Sequence, residues 1–190
     1  MARGRDWGYK SQAMTRQDML AQSVELSRVL LARYFKGFDD SNHTKQAPGL
    51  PNHFAWTLGH LALNLHRVAQ QFEGPSAGAL PEADFVTGDG RAGDGRRYDT
   101  EGVAFGSNPV ADTALYPPAK RCVEIFDSAV ARLARAIRST DDRRLDSTVK
   151  WFTGDVTLWH MAVRMVFHNG THCGQLADLR RALGMGSIFS

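Results

Sequence analysis

Two histidines four residues apart, His168 and His172, interrupt an otherwise apolar series near the C-terminus. Met161, Met165, His168, His172, Leu176, Leu179 and Leu183 recur in steps of four, three, four, four, three and four, which traces one face of a single helix. Residues four apart on a helix hold their Cβ atoms about 5–6 Å from one another on the same side. Two imidazoles so placed can close on one metal ion. The plainer reading is a pair of core histidines satisfied by hydrogen bonds. Each would then need its own partners, because an unpaired buried polar group costs about 1–3 kcal/mol. One shared cation satisfies a ring nitrogen of both at once, and we prefer that reading.

A third ligand has to come from elsewhere in the chain. The candidates are His43, His53, His60, His66 and His160. His43 falls in an expected loop, and His160 precedes His168 by eight residues, about 80° around the helix. His66 lies six residues beyond His60 and points elsewhere. His60 sits between Leu58 and Leu61 on a segment that is apolar on nearly every side, with His53 two turns earlier at the helix end. Spacing alone leaves the choice open. Cys173 is about 100° around the helix from His172 and is not counted as a ligand. Asn64 reads as a helix-surface amide, and Gln175 as a partner in an interhelical hydrogen bond.

Other chemistries find no support. The segment His168-Asn-Gly-Thr-His172 has the histidine spacing of a zincin protease but lacks the glutamate that serves there as general base. There is no Walker motif, dinucleotide fingerprint or Gly-x-Ser-x-Gly elbow.

The elements that position these residues read as four helices. The first spans residues 14–38, with Thr15 and Asp18 placed as a cap and Leu20, Val24, Leu31, Tyr34, Phe35 and Phe38 on one side. The second spans residues 52–73, with Asn52 as the expected N-cap and Phe54, Leu58, Leu61, Leu65, Val68 and Phe72 as its stripe. The third starts at Pro117 and Pro118, buries Cys122, Ile125, Phe126, Ala129, Leu133 and Ile137, and ends near Ser139 and Thr140. The fourth starts near Asp155 or Thr157 and stops at Gly184. Residues 74–115 form a glycine-rich connection, far longer than chain reversal needs. Such a connection lets two successive helices run parallel. It also supplies Phe85, Tyr98 and Phe105 as apolar anchors that can cover part of the metal site. The only short strand signal lies at residues 148–152. The expected fold is all-α, a four-helix bundle with a long crossover between helices 2 and 3. It occupies residues 14–190 as one domain, behind a loose basic lead-in at residues 1–13.

Composition agrees with a globular protein of one domain. The chain has 190 residues, 43% hydrophobic and 23% charged, with a net charge of +3. No apolar run reaches the roughly 20 residues of a membrane span. The first ten residues carry basic groups with no apolar stretch behind them, so no secretory signal is expected, and Met14 is a second candidate start. The two cysteines, Cys122 and Cys173, are expected to be reduced thiols in a cytoplasmic protein. The densest basic cluster, residues 132–144, is interrupted by Asp141 and Asp142 and reads as a solvated helix face, so nucleic acid is not an expected partner.

Taken together, several segments resemble one family. The run Asn52-His-Phe-Ala-Trp-Thr-Leu-Gly-His60 resembles the second helix of the DinB/YfiT-like family. The run from His168 to Gly184 is similar to its last helix, with the pattern His-x-x-x-His-x-Gly-Gln followed by a leucine–arginine run and a glycine. Phe105-Gly-Ser-Asn-Pro109 and Tyr116-Pro117 are similar to its linker. The resemblance implies a four-helix bundle with a nickel or zinc ion on three histidines, which by position are His60, His168 and His172. It further implies a homodimer and a small-molecule substrate. The function to expect is that of a metal-dependent enzyme, a transferase working with a low-molecular-weight thiol or a hydrolase. The alternative is a non-catalytic metal- or ligand-binding stress-response protein. Two positions depart from the family pattern. Asn169 stands where many members carry an acidic residue, and Cys173 where many carry arginine.

Overall fold

A computed structural model describes residues 13–75, 77–87, 95–151 and 154–188. Nearly all of the expected lead-in, residues 1–12, lies outside them. In chain order the elements begin with α1 (Arg16–Ala32), a 3-10 turn (Arg33–Phe35) and α2 (Phe54–Glu73). Strands β1 (Phe85–Val86) and β2 (Tyr98–Asp99) follow, then a 3-10 turn (Thr113–Leu115), α3 (Ala119–Arg138) and the short α4 (Asp142–Leu145). Strands β3 (Thr148–Trp151) and β4 (Gly154–Thr157) lead into α5 (Leu158–Ala182).

The all-α expectation needs correction in its details. A four-residue helix and two small sheets join the long helices among the described residues. β1 pairs parallel with β2 inside the crossover, and β3 pairs antiparallel with β4. The strand signal at residues 148–152 appears as the first arm of that hairpin over Thr148–Trp151. Its partner has a glycine and an aspartate in its four residues, which hid it.

Local chemistry sets the helix ends. Thr15 and Asp18 form the expected capping box on α1. On α2 the cap is His53 and not Asn52. His53 Nδ1 accepts from the Trp56 amide at 3.2 Å, while the Asn52 side chain is engaged with Gln175 Oε1 at 3.1 Å. Pro118 offers α3 no side-chain cap, and Asp40 supplies one from the α1–α2 loop by accepting from the Ala119 amide at 2.7 Å. At the end of α5, Gly184 adopts a φ of 70°, Met185 N–H donates to the Arg180 carbonyl and Gly184 N–H to that of Arg181. That pair of bonds satisfies two carbonyls of the last turn.

Side-chain pairs fix the directions of the long helices. Arg28 meets Asp127, and Glu25 meets Arg138, so α1 and α3 are antiparallel. Ser27 meets Asn169, and the Tyr34 carbonyl meets Arg180, so α1 and α5 run the same way. Asn52 meets Gln175 and His60 meets His168, so α2 opposes α5. It follows that the successive helices α2 and α3 are parallel, the arrangement that the long crossover permits.

Helix α2 is the centre of the molecule, with sixteen of its twenty residues buried. It packs on α3 and α5, and the crossover covers its remaining side. Tyr98, fully buried, packs its ring against Gly59 and donates its hydroxyl to the Ala55 carbonyl at 2.9 Å. A Cβ at residue 59 would stand 2.5 Å from the Tyr98 ring. The crossover is held to α3 by Asp84, whose carboxylate meets Arg121 at 2.6 Å.

These contacts make two expectations about stability. Gly59→Ala should lower it by about 1–3 kcal/mol through overpacking against an aromatic ring that cannot withdraw, read as a lower melting temperature; an unchanged melt would mean that Tyr98 is not seated as described. The second concerns the titration of His53. Its Nδ1 is an acceptor, so Nε2 carries the proton and donates to the Val110 carbonyl at 3.1 Å. Burial lowers its pKa to about 4, because charging it there is costly. Between an ordinary histidine value near 6.5 and about 4, the unfolded chain binds this proton and the folded chain does not. Stability from His53 is therefore complete above that window and is lost as the pH falls through it. His53→Asn, which keeps a capping acceptor, should flatten the fall in stability by up to about 1.4 kcal/mol per pH unit. Denaturant titrations from pH 7 to 4 compare the two slopes.

Candidate metal centre

Three of the chain's seven histidines come together where α2 passes α5. His60 lies on α2, one helical turn before Asn64, while His168 and His172 occupy successive turns of α5. The Nε2 atoms of His60 and His168 are 3.2 Å apart, and those of His168 and His172 are 3.1 Å apart. One ring nitrogen from each of the three lies within 4.8 Å of the others. Four-coordinate zinc with nitrogen ligands at 2.0–2.1 Å has ligand–ligand edges of about 3.3 Å, so the spacing suits a small divalent ion.

The protons of the cluster can be followed atom by atom. His60 Nδ1 faces the Val103 carbonyl at 2.9 Å, so Nδ1 carries the proton and Nε2 presents a bare lone pair. His168 Nε2 lies within hydrogen-bonding distance of both other rings, yet a single N–H can serve only one of them. His172 Nδ1 is buried without a hydrogen-bond partner among the described residues. Three neutral rings thus hold fewer protons than their close contacts require. Extra protons are not a remedy. Burial first, and then the charge of His168 and His60, press His172 well below the ordinary histidine range. Burial, then His60 and Arg164, do the same to His168. Burial also lowers His60, against a smaller opposing pull from the Val103 carbonyl. At neutral pH all three rings are neutral and could serve a cation as ligands.

Surrounding groups hold the rings in place. Trp56 stacks on His60 with centroids 4.7 Å apart and planes 8° from parallel. The Trp56 indole N–H donates to Ser107 Oγ at 2.9 Å, and that hydroxyl donates in turn to carbonyls of the same crossover loop. The loop that orients His60 is therefore tied to the helix that carries it. Asn64 is not a surface amide. It is buried, donates to the His60 carbonyl at 2.8 Å and brings its nitrogen within 3.4 Å of His60 Nε2. Nothing in its spacing separated it from a solvent-facing residue, because α2 is apolar on nearly every side.

Beside the cluster opens a cavity of about 870 Å³. His60, His168 and Asn64 line it together with the apolar side chains of Phe105, Trp151 and Phe167. Phe105 comes from the crossover, as expected of a cover, whereas Phe85 and Tyr98 are buried anchors. Trp151 comes from the β3–β4 hairpin, which the sequence did not connect with the site. His160 and Arg164, two turns and one turn before His168, also line the cavity.

The other histidines lie apart from the cluster. His53 caps α2, and His66 accepts from Arg132 at 3.4 Å while burial lowers its pKa to about 4. His43 is buried in the α1–α2 loop with neither ring nitrogen paired among the described residues. Asn169 turns away from the three rings and donates to Ser27 Oγ at 2.8 Å, so this departure from the family pattern serves the α1–α5 contact. Cys122 and Cys173 are both free thiols, and burial raises both pKa values, that of Cys122 to about 12.

Comparison with known proteins agrees with this architecture. No curated protein matches the chain. A conserved protein from Enterococcus faecalis of known structure is 11% identical and superposes with a TM-score of 0.61, over 90% of this chain and 98% of that one. A mycothiol-dependent maleylpyruvate isomerase, in a mutant form with one histidine replaced by alanine, is 12% identical, with a TM-score of 0.59 over 87% of this chain. The isomerase without that substitution is 13% identical, with a TM-score of 0.56. In both cases this chain spans 65% of the isomerase's length. At such identities the likeness is one of fold. The sequence match is more specific: residues 23–176, from the middle of α1 to beyond the second histidine of α5, fit the profile of a single family. The chain belongs to the DinB superfamily.

Proposed function

We propose that this protein is a metal-dependent enzyme whose ion, zinc or nickel, is held by His60, His168 and His172 in the frame of a four-helix bundle. The observation that carries the reading is the meeting of three neutral imidazoles at one point with too few protons to satisfy one another. A divalent cation takes all three lone pairs at once. When bound to three neutral ligands such an ion keeps its full charge and supplies Lewis acidity to a water or a thiol. The chain's own residues do the rest. Val103 and Trp56 fix the tautomer and plane of His60. Asn64 places an amide beside the ring cluster, where it can orient a bound group. Phe105 and Trp151 narrow the approach and limit the water around it.

The adjoining cavity favours catalysis over simple metal storage, because it offers a small molecule a place next to the ion. For the reaction we favour thiol-dependent transfer or isomerisation over hydrolysis. Support comes from the fold shared with a mycothiol-dependent maleylpyruvate isomerase. The substrate is then a small molecule joined by a low-molecular-weight thiol. A homodimer is the assembly we expect.

Protein purified without a histidine tag should carry one zinc or nickel ion per chain. His168→Ala and His172→Ala should each weaken retention by more than about a hundredfold, beyond what loss of an outer partner costs, whereas His160→Ala should retain the ion. Elemental analysis after exhaustive dialysis reads the result, and full occupancy in the His168→Ala/His172→Ala double variant would sink the reading. In cobalt-substituted protein a simple thiol such as 2-mercaptoethanol should produce a sulfur-to-metal charge-transfer band. Absence of the band would remove the thiol from the proposal and leave the hydrolase.

A further inference from the structure

Among the described residues, Arg164 is a cation without a counter-ion. It is half-buried on α5, one turn before His168, and lines the cavity beside the three-histidine centre. No described carboxylate pairs with it, and no acidic side chain lines the cavity. Arg121 is engaged with Asp84, Arg132 with Glu73, and Arg180 with backbone carbonyls at the end of α5, while Arg67, half-buried on α2, does not line the cavity. A guanidinium left over at the wall of an apolar cavity is costly to desolvate, and a charge-assisted bond from a bound anion offsets that cost.

Besides Arg164, the ring cluster with Asn64, and His160 and Thr171 on α5, the wall is apolar and faces the opening. Phe105, Phe167 and Val163 are 82%, 78% and 45% exposed, and Trp151 adds its ring from the hairpin. Apart from Arg164, no described arginine or lysine lines the cavity. A phosphate dianion calls for more than one fixed cation, whereas one planar fork, with His160 and Thr171 as neutral neighbours on α5, matches one carboxylate. Side chains on a helix lean toward its N-terminus, so Arg164 and His168, four residues apart on α5, lean the same way about 6 Å apart along the axis. An anion on the N-terminal side of the guanidinium then lies about one helical turn from His168. It is not a ligand of the ion.

We propose that the substrate is a small carboxylic acid with an apolar body, its carboxylate bound by Arg164 and its reacting end turned toward His60 and His168. This rests on reading the cavity as the substrate pocket of the three-histidine centre. The body then bridges the two polar ends across Trp151 and Val163, with the carboxylate and the reacting group at opposite ends of the molecule.

The test is a binding screen followed by tryptophan fluorescence and confirmed by calorimetry. The probes are aryl- and alkyl-carboxylic acids such as 4-phenylbutyrate, each beside its neutral primary amide. Each is titrated into metal-loaded and chelator-stripped wild type, Arg164→Met and Arg164→Lys. At least one acid should bind the stripped wild type, bind Arg164→Met about tenfold or more weakly, and recover part of the loss in Arg164→Lys. The amides should not distinguish the variants. Equal binding to wild type and Arg164→Met overturns the proposal, and so does failure of every acid. Acid binding that falls away as the protein self-associates, followed by sedimentation, also overturns it by assigning the apolar wall to a second copy of the chain. The two readings separate cleanly. A chain that holds no metal but binds acids through Arg164 defeats the metal centre alone. A chain that holds its metal but is indifferent to Arg164 defeats this proposal alone.

Discussion

A helix with apolar side chains around its whole circumference cannot face water on any side, and α2 is such a helix. Helices α3 and α5 cover two of its sides. Since α3 runs parallel to α2, the chain must travel the length of the molecule between them, and it covers the third side on the way. The polar groups that α2 nevertheless carries are then enclosed and need partners. His60 finds the Val103 carbonyl, His66 finds Arg132, and Asn64 bonds back to the His60 carbonyl. One requirement of burial thus produces the crossover, the tautomer of His60 and the position of the amide beside it.

The three-histidine cluster inherits an asymmetry from this arrangement. Its α2 side is rigid: His60 is bonded from behind, stacked on Trp56 and tied through Ser107 to the loop above. Its α5 side is open, because the outer face of that helix also forms the floor of the cavity. A fixed back and an accessible front are what a reactive centre needs from a scaffold. Asn169 shows the same helix serving its other neighbour, with its amide engaged by Ser27 and so withdrawn from the chemistry.

Much of this was legible in the residues themselves. The period of the apolar positions located the long helices, and the two histidines on one stripe of α5 marked the centre. Both signals are local and periodic. The ends of the elements were less legible wherever two polar residues competed for a cap, as Asn52 and His53 did, since the winner depends on the distant Gln175. The β1–β2 pair could not be read at all, because two residues in each strand carry no period. Spacing placed His60 only among several candidates, and the family pattern singled it out. Asn64, Trp151 and Arg164 owe their place at the cavity to how α2, the hairpin and α5 meet, which is long-range information absent from any one segment.

The parallel course of α2 and α3 also bears on how the chain finds its fold. Their contacts join residues on either side of the crossover, so they cannot form until a long loop has closed, and slow folding is the usual companion of such topology. The loop contains its own intermediate stations. Tyr98 can settle on Gly59 and Ala55 before α3 arrives, and Asp84 then offers Arg121 a landing point. Ala55 and Tyr98 are 43 residues apart and Asp84 and Arg121 are 37 apart, against 59 and 66 for the contacts of Arg132 on α3 with Glu73 and His66 on α2, and closure entropy grows with segment length. The aromatic ring that seals α2 in the finished molecule thus offers assembly a staging post, dividing one long search into two shorter ones.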